Sequence, residues 1–148
     1  MSPGESFRVQ SIDIRGLDHV VLRVEDLERS LRFYCEVLGC REERRLEDLG
    51  LVQLRAGDSL IDLVDVKSAL GAKGGPAPGA GARNMDHFAL ELRHFDEAQL
   101  RAHLESHAVE PSEVAERYGA MGYGPSMYIR DPDGNIVELK GPAERRGN

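Results

Sequence analysis

The stretch LDHVVLRV (Leu17–Val24) returns in near-copy as MDHFALEL (Met85–Leu92). His19 and His87 hold the same place in the two copies, each behind an aspartate and ahead of alternating apolar residues. A 148-residue chain that makes one strand pattern twice has few ways to fold. Two half-size modules must share a core, and residues repeated in both serve one site.

Strict alternation predicts a strand in each copy. In the first, Val20, Leu22 and Val24 face the core while His19, Val21 and Arg23 face away. In the second, Phe88, Leu90 and Leu92 face the core and His87, Ala89 and Glu91 face away. A helix follows each strand: EDLERSLRFYCEVLG, capped by Asp26 and stopped by Gly39, and DEAQLRAHLESH, capped by Asp96. Two strands then close each half. LVQL and LIDLVDV are joined by the turn RAGDS, and PSMYIR and NIVELK by the turn DPDG. Laying LIDL over IVEL puts Asp62 over Glu138, with one extra residue in the second turn.

The expected organisation is an N-terminal arm (1–15), a first module (16–66), a Gly/Ala/Pro-rich connector (67–83), a second module (84–141) and a short tail (142–148). The glycine-rich YGAMGYGPS (Tyr118–Ser126) reads as a mobile flap, with Tyr118, Met121, Tyr123 and Met127 either lining a pocket or simply packing. The net charge of −7 argues against nucleic acid as a partner. No apolar run approaches the roughly 20 residues of a membrane span. Cys35 and Cys40 are too few for a disulfide framework, so a reducing cytoplasm is expected.

His19, Asp62, His87 and Glu138 each fall on the face opposite the apolar stripe of their strand. Singly, each reads as a hydrogen-bonded or solvated residue. At equivalent positions in two copies, they point to two imidazoles and two carboxylates converging on a divalent cation, because such groups crowded together without one are costly. His103 and His107, four apart, read as a solvated helix face.

These residues carry a resemblance. LDHVVLRVEDLERSLRFYCEVLG and YIRDPDGNIVEL resemble the opening strand–helix and closing hairpin of the vicinal oxygen chelate superfamily. That superfamily includes glyoxalase I, bleomycin-resistance proteins and extradiol dioxygenases. The resemblance spans about Gly16 to Gly141. It implies an α+β fold of two paired βαβββ modules forming an open cup-shaped mixed sheet, with helices packed outside. It also implies a divalent metal on His19, His87 and Glu138, with Asp62 as a fourth ligand, and a homodimer. The donor set suits Ni, Zn, Co, Mn or Fe.

The expected activity is glyoxalase-like: a small molecule held through vicinal oxygens, with Glu138 as base in an isomerase- or lyase-type proton transfer. Arg23 and Arg83 match arginines of glyoxalases and would meet an anionic substrate, although Arg23 also stands opposite Glu91 for an ion pair. The lysine that helps those enzymes hold glutathione has no counterpart between Lys73 and Lys140. Two other readings stay open. If Asp62 does not ligate, two histidines and Glu138 form a facial triad suited to an Fe(II) extradiol dioxygenase, with Tyr128 assisting proton transfer. Alternatively, the cup is a non-catalytic, drug-sequestering binder that holds a ligand without metal; in the glyoxalase-like reading Tyr123 is expected against the substrate.

Overall fold

The computed structural model describes residues 11–145. Most of the expected N-terminal arm and the last three residues lie outside the described residues. The first module runs β1 (His19–Val24), α1 (Leu27–Arg32), β2 (Arg41–Leu46), β3 (Leu51–Ala56) and β4 (Ser59–Asp65). A short helix, α2 (Ala69–Ala72), lies in the connector. The second module runs β5 (Phe88–Glu91), α3 (Glu97–Ser106), β6 (Ala115–Gly119), β7 (Gly122–Arg130) and β8 (Ile136–Lys140). Each module is therefore βαβββ. Its four strands form a mixed, open sheet, ordered β1-β4-β3-β2 in one and β5-β8-β7-β6 in the other.

Local chemistry accounts for the element ends. Asp26 accepts from the Arg29 N–H and Asp96 from the Gln99 N–H, each satisfying an otherwise orphaned helix donor. Past Arg32 the first helix widens into a π turn over Phe33–Val37, whose Leu38 N–H reaches the Phe33 carbonyl. Gly39, at φ +78°, ends it where a side chain would be strained. The apolar stripes meet in one core: Leu22, Val24, Tyr34, Val52, Leu54 and Leu63 from the first module, Leu104, Met127, Ile129, Val137 and Leu139 from the second. Each such side chain contributes roughly 1.5–3 kcal/mol by leaving water.

The structure differs from the periodicity reading in three places. Strand β2 (REERRL) has no apolar alternation; it is an exposed edge held by its ladder to β3 and by the Arg55–Glu43 pair at 2.9 Å. The glycine-rich stretch is built as a β-hairpin: β6 and β7 pair from Ala115↔Ser126 to Gly119↔Gly122, and Met127 is fully buried while Tyr118 and Met121 are exposed. The connector is partly packed. An added Cβ at Gly71 would strike the Asp65 carbonyl at 2.0 Å, so only glycine fits that approach.

The registers carry the internal repeat down to single residues. Asp62 pairs with Val21 on one side and Gln53 on the other. Glu138 pairs with Ala89 and Tyr128. The second hairpin is longer by the one residue that the overlay of LIDL on IVEL requires.

Candidate functional site

His87 lies immediately before β5. Its Nδ1 donates to Asp86 Oδ2 at 2.7 Å, and its Nε2 stands 3.3 Å from Glu138 Oε1. The bond to His87 holds the Asp86 carboxyl below the usual carboxylate range. Glu138 is buried, 6% exposed, because its strand is the inner neighbour of both β5 and β7. The Tyr128 ring meets His87 edge-on at 5.6 Å, and Arg117 lies over that ring at 4.4 Å. Arg117 is held there by Nη1, which donates to the carbonyl and the Oγ of Ser126 at 2.9 and 2.8 Å.

The first module builds the counterpart. His19 Nδ1 donates to Asp18 Oδ2 at 2.8 Å. That bond, followed by the negative charge of Asp62, raises the His19 imidazole above its ordinary value. Asp62 is 3% exposed. Its Oδ2 accepts from Gln53 Nε2 at 3.1 Å, while its buried Oδ1 has no hydrogen-bond partner. A buried, unpartnered carboxylate oxygen is a strong demand for a cation or a donor.

The four sequence-predicted ligands thus come as two pairs, His19 with Asp62 and His87 with Glu138. Among the described residues of one chain, no three His, Cys, Asp or Glu side chains converge on a common point. The donor chemistry nonetheless fits a divalent transition metal. In each copy an aspartate occupies Nδ1, which orients the ring and leaves Nε2 as the nitrogen available to a metal, in His87 directed at Glu138 Oε1. Asp18, Asp86 and Gln53 were not singled out from the sequence. The doubled Asp-His dipeptide was the signal for the first two, and the Gln53↔Asp62 register for the third.

The remaining candidates separate. Arg23 is engaged by the connector: its Nε donates to the Gly71 carbonyl at 2.9 Å, Nη1 to the Pro76 carbonyl at 3.2 Å, and Nη2 to the Gly75 carbonyl. Glu91 is not among its partners. Arg83 is exposed, and its charge reaches Asp86. Tyr123 lies on the face of β7 opposite Tyr128, stacked beneath Arg145 at 4.0 Å and against Tyr118 at 5.0 Å. It is therefore not beside Glu138. A cleft of about 650 Å³ opens next to His87 and Tyr128, walled by Val109, Pro111 and Ile136.

The DPDG turn couples the modules. Asp131 accepts from the Tyr34 hydroxyl at 2.6 Å and from the backbone N–H groups of Asp133 and Asn135. Burial, then the Asp131 charge, pushes the Tyr34 phenol well above its ordinary value. Asp133 accepts from the Glu25 N–H at 3.0 Å and the Ser30 hydroxyl at 3.2 Å. The turn that begins β8, and so places Glu138, is anchored on the first helix.

Comparison with known proteins agrees with this architecture. A glyoxalase domain-containing protein of Mycosarcoma maydis is 26% identical over 146 residues, covering 94% of this chain and 75% of the relative. The structure is similar to an integron cassette protein from the mobile metagenome of V. cholerae, with a TM-score of 0.69 and 28% identity over 89% of this chain and 98% of that one. It is also similar to lactoylglutathione lyase from Agrobacterium tumefaciens, with a TM-score of 0.63 and 25% identity over 86% and 94% of the two chains. The family model for the Glyoxalase/Bleomycin resistance protein/Dioxygenase superfamily matches residues 16–139, and the chain belongs to that superfamily.

Proposed function

We propose that this protein is a divalent-metal-dependent, glyoxalase-like enzyme that binds a small molecule through vicinal oxygens and moves a proton beside its carbonyl. The observation that carries the reading is the repeated half-shell, an aspartate-oriented imidazole next to a buried carboxylate, with Asp62 Oδ1 left without a partner. His19, Asp62, His87 and Glu138 would hold the ion. When bound, it supplies Lewis-acid polarisation of the substrate oxygens. Glu138 takes and returns the proton, its burial beside Tyr128 keeping bulk water away from Oε1. Asp18 and Asp86 orient the two rings so that each Nε2 is available to the ion, and the Val109–Pro111–Ile136 wall accepts the apolar part of a substrate.

A single chain holds the donors as two pairs, so the reading includes a homodimer in which His19 and Asp62 of one chain meet His87 and Glu138 of a second. The open face of β1 supports this. Val21 is 48% exposed there, and Ile14 and Leu17 on the approach to it are 80% and 86% exposed, more apolar surface than water favours. The two free cysteines fit a reducing compartment. The position of Tyr128 beside His87 favours one second reading, an Fe(II) dioxygenase with the phenol assisting proton transfer; oxygen uptake with catechols on Fe(II)-loaded protein tests it.

Elemental analysis and metal titration of protein purified without chelator decide the first point, and about one equivalent per chain is expected. Uptake below about a tenth of an equivalent points instead to a binding protein. Glu138→Gln, tested on a panel of α-hydroxycarbonyls and 2-oxoaldehyde–thiol adducts, should lose on the order of 100-fold or more in turnover with an unchanged circular dichroism spectrum. Full turnover in that variant removes Glu138 from the mechanism.

A further inference from the structure

Lys140 ends β8, two residues after Glu138 and on the same face of the sheet. It is 8% exposed, and among the described residues no carboxylate lies within 4.0 Å of its ammonium. The side chain lies across Gly119 of β6. A Cβ built on Gly119 would fall 2.6 Å from Lys140 Cε, 2.9 Å from Cδ and 3.5 Å from Nζ. The missing side chain therefore makes a notch that seats the lysine. Gly119 alternates with Arg117 along β6, so both lie on the face that also carries Ser126, Tyr128 and Glu138. Arg117 likewise bonds only to Ser126 and Tyr128 there, with no described carboxylate against it.

Two cations with no described carboxylate in ion-pair range are unusual on a face that also carries Glu138 and Glu91, the latter the register neighbour of Lys140 on β5, in a chain of net charge −7. The internal repeat shows that the arrangement is specific. Ser126 pairs with Lys140 in the second sheet, whereas Leu51 pairs with Val64 at the matching place in the first. The fold does not require polar groups at these positions; only the second module has them.

We propose that Lys140, seated in the Gly119 notch with Arg117 on the same face, is an anion subsite that takes a carboxylate, phosphonate or phosphate group of the substrate. This rests on the proposed function for identifying the face as the reacting one. It narrows the substrate to a small acid whose vicinal oxygens lie toward Glu138 and whose anionic end lies toward the β6–β7 hairpin.

The test is calorimetric titration of inorganic phosphate into the full chain, with metal uptake measured separately. Wild type should bind phosphate saturably, and Lys140→Met should weaken it about tenfold, the loss of one charge-assisted bond. Lys67→Met, on an exposed lysine, should change nothing, and metal uptake should be the same in all three proteins. Gly119→Ala keeps both charges but displaces the lysine, so it should also weaken phosphate binding, and it decides the matter if thermal melts show Lys140→Met misfolded. Absent phosphate binding in wild type, or equal losses from Lys67→Met and Lys140→Met, overturns the subsite. Lysine-dependent phosphate binding without metal uptake upholds the subsite and overturns the metal reading.

Discussion

Ala108 follows the last turn of α3 at φ +59°, the left-handed conformation that terminates helices and that an L side chain resists. Its N–H is committed to the Glu105 carbonyl, so the backbone is held there by the helix end. Ala108→Gly is expected to stabilise the fold by about 0.5–1 kcal/mol, read as a higher urea midpoint at unchanged slope; a lower midpoint would mean that packing of the alanine methyl outweighs the strain. The same scale shows what single residues disclosed. His19, Asp62, His87 and Glu138 were legible because the repeat marks them twice and alternation gives their face. The partners that orient them were less legible. Asp18 and Asp86 sit in plain view beside the histidines, but only the bonds at 2.8 and 2.7 Å show that they take Nδ1. Arg23 resembled a substrate ligand by spacing, yet the connector carbonyls that claim it lie about 50 residues away in sequence, beyond any local pattern.

At the scale of elements, legibility follows burial. Strands β1 and β5 bury one face and alternate accordingly, while β8 is buried on both faces yet keeps the alternation in its residues (Val137 and Leu139 against Glu138 and Lys140), so the alternation reads all three correctly. Strands β2 and β6 are edge strands, as β1 and β5 are, but they carry REERRL and AERYG with mostly exposed side chains and owe their conformation to the ladder beside them. In sequence the closing turn DPDG reads as a simple hairpin connection. Its carboxylates in fact reach across to the first helix, a role set by tertiary contact. Asp131 accepts from Tyr34, from two backbone N–H groups and from the Asn135 amide, all buried. Asp131→Ala leaves those donors stranded and is expected to cost roughly 3–5 kcal/mol, by analogy with breaking a buried charged network. Chemical denaturation measures it. A loss below about 1 kcal/mol, typical of a surface polar group, would show that the turn does not hold the modules together.

For the whole molecule, the sequence allows the halves to close on one another or on a second chain. A repeat is silent on that choice, because both pairings bury the same faces. The structure keeps His19 with Asp62 and His87 with Glu138 as separate pairs, and the proposed exchange between chains has a consequence that pairing within one chain lacks. In an exchanged dimer, His19→Ala spoils both sites, and so does His87→Ala. A heterodimer of the two variants gathers both lesions into one site and leaves the other with four native ligands. Each variant alone should therefore bind little metal. Unfolding and refolding them together at equal amounts should restore metal uptake to about a quarter of wild type, since random pairing makes half the dimers mixed and each mixed dimer has one intact site. Pairing within a chain predicts no restoration at any mixing ratio, because every chain then carries its own damaged site.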